Sequence, residues 1–176
     1  RIVFHGHPAD GGESQSNLFS IDMDGSNLQQ LTRNRELIEG IELWWPGEPS
    51  WSPDGLQIAF RGTMRTPDPG GIWWGNAIII MDANGDNKQI IYNEPEPNSG
   101  EHYDLAWTRD GTFLVFLTKE GYSNPNARVK VLNTINEDIS DITAGLLVEG
   151  KHTTNICTSP ETDQLLFNKH EPGGGD

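Results

Sequence analysis

Four histidines, His7, His102, His152 and His170, are the residues of this 176-residue chain best suited to bind a metal. Neutral imidazole is a common ligand for divalent cations. No His-x-x-x-His pair places two of them on one helix face, so the fold itself would have to gather them. His102 and His152 each stand five residues before Trp107 and Cys157, and His7 and His170 each stand three after a phenylalanine. Repeated placement around an axis predicts a divalent-metal site at a channel mouth. The competing reading is that repeats inherit like residues at like positions, where they cap neighbouring strands.

A second set is aromatic: Trp44-Trp45, Trp73-Trp74 and Tyr122. Indole offers a flat apolar face and one N–H donor, which suits sugar rings or protein anchors. The alternative is that one tryptophan of each pair packs over its own strands. A third set is acidic. Asp22-Met23-Asp24-Gly25 and Asp82-Ala83-Asn84-Gly85-Asp86 supply oxygen ligands for calcium, but not at the twelve-residue loop spacing, and Asp or Asn beside Gly is what a hairpin turn requires. These read as structural turns.

Nucleophilic chemistry finds no support. The chain has no Gly-x-Ser-x-Gly elbow and no glycine-rich phosphate loop, and Cys157 aligns with a core tryptophan position, which predicts burial. Glu48, Glu101 and Asp104 are candidate acids by location alone. No catalytic residue emerges.

The elements that position these residues follow from an internal repeat of about fifty residues. An apolar-apolar-Phe phrase recurs as Ile2-Val3-Phe4, Ile58-Ala59-Phe60, Leu114-Val115-Phe116 and Leu165-Leu166-Phe167. Nine or ten residues earlier stand Trp51-Ser52-Pro53-Asp54-Gly55, Trp107-Thr108-Arg109-Asp110-Gly111 and Cys157-Thr158-Ser159-Pro160-Glu161. Asp-Gly suits a tight strand-to-strand turn, because glycine takes positive φ without steric cost. A third strand precedes each acidic turn and a fourth follows it, so the unit is a four-stranded antiparallel meander. Such a unit cannot bury both faces alone and is stabilised by stacking on its own copies.

The fold class expected is all-β: propeller blades with strands a to d from the inside out. The chain starts on a strand b and stops after another, giving about three and a quarter blades at 1–32, 48–92, 102–143 and 153–176. One partial propeller domain, 1–176, is the predicted organisation. Open strand edges template association, so the expectation is part of a larger ring, or a half-ring that closes with a second copy.

The phrases Trp51-Ser52-Pro53-Asp54-Gly55, Ile58-Ala59-Phe60, Met81-Asp82-Ala83-Asn84-Gly85 and Ser20-Ile21-Asp22-Met23-Asp24-Gly25 with Leu31-Thr32 resemble the TolB-type WD-like propeller repeat. The likeness spans nearly the whole chain and is weakest at Cys157. It implies a propeller of six or seven blades, a periplasmic or extracellular setting and protein partners. The same repeat serves in non-catalytic parts of peptidases and in oligogalacturonate lyases, so it constrains fold better than function.

Charge narrows the partners. Twelve basic residues against 26 acidic ones leave a net −14, which repels nucleic acid and anionic membrane surfaces. The longest apolar run, around Ile78-Ile79-Ile80-Met81, is far short of the ~20 residues of a membrane helix. In a meander the b–c and d–a connections share one end, and they are expected to carry the tryptophans and histidines as loops. The leading expectation is a non-catalytic module binding a protein or glycan partner through that end. A metal-dependent polysaccharide lyase and a self-associating assembly element are the alternatives.

Overall fold

A computed structural model describes residues 1–7, 16–67, 73–93, 102–119, 127–142, 152–159, 161–162 and 164–170. Tyr122 lies outside these residues, as do the side chains of Trp73, Trp74, His102, His152 and His170. The described residues contain no helix, and none of their segments is a helix long and apolar enough to cross a membrane. They fall into two compact units, 1–97 and 98–176.

The first unit begins with a three-stranded meander, β1 (Ile2–Gly6), β2 (Asn17–Ile21) and β3 (Gln29–Gln30). It continues into a five-stranded sheet in the order β4 (Leu37–Ile38), β5 (Ile41–Trp51), β6 (Gln57–Arg65), β7 (Trp73–Asp82) and β8 (Gln89–Asn93). The second unit holds β9 (His102–Trp107), β10 (Phe113–Lys119), β11 (Ala127–Asn133) and β12 (Ile139–Asp141) in one sheet, and the pair β13 (His152–Thr158) and β14 (Leu165–His170). Among the described residues all pairings are antiparallel between neighbours in sequence. The predicted strand order b-c-d, a-b-c-d, a-b-c-d, a-b is what the sheets show, with β4 as an addition.

Register is set at the a–b turns. Ser52, Thr108 and Ser159 each donate a backbone N–H to the carbonyl five residues on, at Gln57, Phe113 and Gln164 (2.9, 2.8 and 2.9 Å). In the first two turns the hydroxyl also meets the central aspartate (Ser52–Asp54 2.6 Å, Thr108–Asp110 2.7 Å), and Gly55 and Gly111 both sit at φ +72°. This correspondence corrects the alignment made from the sequence. Ser159-Pro160 matches Ser52-Pro53, so Thr158, not Cys157, occupies the Trp51/Trp107 position. Cys157 is exposed rather than buried, opposite Leu166, itself 68% exposed. The shift also removes the equivalence of His102 and His152.

The core accounts for the phenylalanine of two meanders, Phe60 and Phe116 being fully buried, whereas Phe4 is 36% exposed and stacks on Phe19. Phe60 packs with Ile58, Ile79 and Met81 against Leu18 and Leu31 of the preceding meander. In the second unit Ala106, Val115, Leu117 and Val129 are covered by Ile156 of β13. The run Ala77–Met81 is buried throughout, because both faces of β7 are covered, and it shows none of the alternation of a half-solvated strand. Burying a side chain such as Phe60 contributes roughly 1.5–3 kcal/mol.

Two glycines permit close approach. A Cβ on Gly85, which sits at φ +92°, would meet the Leu31 carbonyl at 2.9 Å, so this turn seats against the preceding meander. A Cβ on Gly62 would run into the Leu43 and Ile79 side chains. Gly62→Ala is therefore expected to lower stability by about 1–3 kcal/mol through overpacking. Urea denaturation reads this as an earlier midpoint at unchanged slope; an unshifted midpoint would contradict the packing described.

Candidate functional site

The β5–β6–β7 sheet runs on beyond the part shared with the other meanders. β5 has eleven residues where β9 has six, and β6 and β7 lengthen with it. In the added part, Glu42 pairs with Arg65, Leu43 with Met64 and Trp44 with Thr63. Side chains alternate across a strand, so Leu43 and Met64 enter the core while Glu42, Trp44, Thr63 and Arg65 share the other face. Trp44 and Trp45, expected on a loop, thus lie in a strand. The register likewise sets Trp73 in β7 opposite Arg65.

Glu42 organises this face. Its Oε2 accepts the Trp44 indole N–H (3.0 Å) and its Oε1 accepts from the Arg35 guanidinium (3.1 Å). Those two partners, the indole N–H first, hold its carboxyl below its ordinary value of 4.5. The guanidinium carbons of Arg35 and Arg65 stand over the Trp44 ring, 5.3 and 5.6 Å from its centroid. Each such cation–π contact is worth about 0.5–1 kcal/mol where exposed.

Arg35 is delivered by a hairpin. Glu39 (φ +52°) and Gly40 (φ +86°) are both left-handed, the geometry of a two-residue turn that matches strand twist. Ile38 and Ile41 on either side are buried. The hairpin is tied down where Glu39 accepts the Ile90 N–H (3.1 Å) and Glu36 pairs with Lys88 (3.4 Å).

Trp45 is the presented residue. It meets Trp44 edge-on at 5.8 Å, is 40% exposed, and sits at φ +40° where the β5–β6 register shifts between Trp44 and Gly47. A bulky residue held left-handed costs of order 1–2 kcal/mol. The next residue is anchored, since the Ser16 hydroxyl donates to the Pro46 carbonyl at 2.6 Å.

A second bulge recurs three residues before each inner-strand tryptophan. Glu48 (φ +52°) and Asp104 (φ +50°) occupy it, and the β13–β14 register also shifts between Thr153 and Ile156. Glu48 pairs with Arg61 (3.5 Å). Asp104 accepts the backbone N–H of Ile156 on the neighbouring inner strand (3.3 Å), and burial pushes its carboxyl above its ordinary 3.8. This is a blade-to-blade hydrogen bond within the second unit, and it gives Asp104 a packing role.

The acidic turns carry their own hydrogen bonds. Asp22 accepts from Asn27 and Arg1 (2.7 and 2.8 Å), and Asp82 from Asn87 (2.7 Å). Hydrogen bonds hold Asp22, Asp24, Asp54 and Asp110 below the ordinary aspartate value. Among the described residues no three His, Cys, Asp or Glu side chains are grouped to hold a metal. His7 follows β1 and is exposed, the register sets His152 opposite His170, and His102 is opposite Thr118. Arg35, Glu42 and Arg65 were not singled out by sequence reasoning. The signal available was spacing: Glu42 and Trp44 are two apart, which is one face of a strand.

No family model matches the chain, and no curated protein matches it. Among solved structures it is similar to a protein assigned to TolB from Agrobacterium tumefaciens, at 15% identity and a TM-score of 0.65, over 97% of this chain and 55% of that one. It also matches TolB from Acinetobacter baumannii at 16% identity and a TM-score of 0.43, over 99% of this chain and 48% of that one. The chain thus spans about half the length of these structures. The first likeness shows the fold: all-β, of the TolB propeller type.

Two pH-dependent outcomes follow. Glu42 has a folded value below its unfolded one, so its contribution is fully present above the ordinary glutamate range and lost as pH falls through the lowered value. Tryptophan emission is expected to stay flat from neutral pH down to about 4 and change below that, and Glu42→Gln is expected to abolish the acid-side change. Asp104 has the opposite sign, since its raised value makes stability decline as pH rises from the ordinary aspartate range through the folded value. Asp104→Asn keeps an acceptor for Ile156 and is expected to match or exceed the parent's thermal midpoint at pH 7, with that decline removed.

Proposed function

We propose that this chain is a non-catalytic binding module that recognises a partner through the extended end of its second blade. The observation carrying this reading is Trp45, an exposed indole held at φ +40°. A structural turn at that position would be served at lower cost by glycine, and strain kept at an exposed aromatic is the kind of feature that marks a contact site. Trp and Arg together are the residues that dominate binding hot spots in protein interfaces, which favours a protein partner over the glycan also considered. The TolB-type fold supports the same class of role, and a periplasmic or extracellular setting with it.

Affinity for a captured partner tests the reading. Trp45→Ala is expected to weaken binding at least tenfold, the scale of a hot-spot truncation, with little change in thermal midpoint. Met23→Ala, on an acidic turn and 78% exposed, is expected to leave affinity unchanged. Equal affinity of Trp45→Ala and the parent for every partner would end this assignment.

A further inference from the structure

We infer that the Trp45 surface takes a polypeptide segment bearing a carboxylate, with the acid on Arg35 and an apolar side chain on Trp45. The inference rests on Trp45 being the contact residue, and adds the chemistry of what it contacts.

Arg35 presents hydrogen-bond donors to solvent on this face. A guanidinium has five N–H donors, and the Arg35 side chain, 57% exposed, gives one nitrogen to Glu42. The Glu42 side chain is 10% exposed, and each of its oxygens already accepts a hydrogen bond. Neighbouring carboxylates face other groups: Glu36 meets Lys88, Glu39 the Ile90 N–H and Glu48 Arg61. An incoming acceptor is therefore matched by Arg35, while Glu42, buried and already accepting on both oxygens, offers little to an incoming donor. A neutral sugar presents hydroxyls that donate as well as accept, so the face fits it less well.

Geometry favours a carboxylate among acceptors. Guanidinium binds it in a planar two-point fork, and Arg35 is oriented for this by Glu42 on one side and the Trp44 ring on the other. Trp44 is itself fixed through its N–H to Glu42. Arg35 lies within about 11 Å of the Trp45 ring, by way of Trp44, a span an extended peptide covers in about three residues. The chain's net −14 opposes polyanions, so the segment that fits carries one acid in an otherwise neutral or basic sequence.

The test uses the whole chain against immobilised hexapeptides carrying Phe-x-x-Asp in a neutral or basic background, their Phe-x-x-Asn counterparts, and cellohexaose. The Asp peptides are expected to bind, more weakly as salt rises, with at least tenfold loss in the Asn peptides. Arg35→Gln is expected to lose at least tenfold with Arg35→Lys in between, and Trp45→Ala to lose binding. Equal binding of Asp and Asn peptides, binding of no peptide, or preference for cellohexaose would overturn the inference, and the peptide comparison needs no altered protein. Loss with Trp45→Ala but not with Arg35→Gln keeps the surface and discards the carboxylate; loss with neither discards both.

Discussion

The rest of the structure depends on the hydrogen-bonded a–b turn. A one-residue slip between strands reverses which side chains face which way, and in this chain both faces of the central strands are covered, so a slip would exchange Phe60 for Ala59 rather than an inner residue for an outer one. Both registers bury apolar side chains, so packing volume rather than hydrophobicity distinguishes them. The bond from Ser52, Thr108 or Ser159 to the carbonyl five residues later fixes the pairing locally, at the turn itself. The acidic turns at the same end act alike, with aspartate and asparagine side chains closing the loop on themselves. One end of each blade is therefore determined by turn chemistry, which leaves the other end free to vary.

Among the described residues, the second blade departs furthest from the shared pattern. Its strands a, b and c lengthen together, and their outer face carries an ordered set of interactions instead of an apolar surface: Glu42 holds Trp44 and Arg35, Trp44 supports Trp45, and the β4 hairpin fixes Arg35. Anchorage to the core comes from Leu43, Met64, Ile38 and Ile41 on the reverse side. The strain at Trp45 persists because the residues on both sides of it are held, Trp44 through Glu42 and Pro46 through Ser16. Rigid support beneath an exposed aromatic reduces the ordering cost of binding, which is how a small patch gains affinity.

Much of the fold was legible because the repeat is carried by residues with strong local meaning: Phe in the second strand, Asp-Gly in the turns, β-branched runs between them. The meander and its strand order follow from those phrases. The extension was not legible. Trp44-Trp45-Pro46-Gly47-Glu48-Pro49 reads as a loop because two prolines and a glycine interrupt it, and two bulges break the period of two that marks a strand. β4 has two residues and no periodicity to detect. At the last repeat the cysteine is conspicuous, but Ser159 is the better guide to register because its backbone N–H bonds to the Gln164 carbonyl. Trp44 and Trp45 were named from the sequence, but their partners Arg35, Glu42 and Arg65 are single charges in a charged chain and acquire meaning through cross-strand register.

The most direct test of the account is hydrogen–deuterium exchange of the whole chain, free and saturated with its partner. Binding is expected to slow exchange in segments 41–47, 61–65 and 73–77 and to leave the acidic turns at 22–27 and 82–87 unchanged. Protection of those turns, with the extended end of the second blade exchanging as in the free chain, would contradict the account.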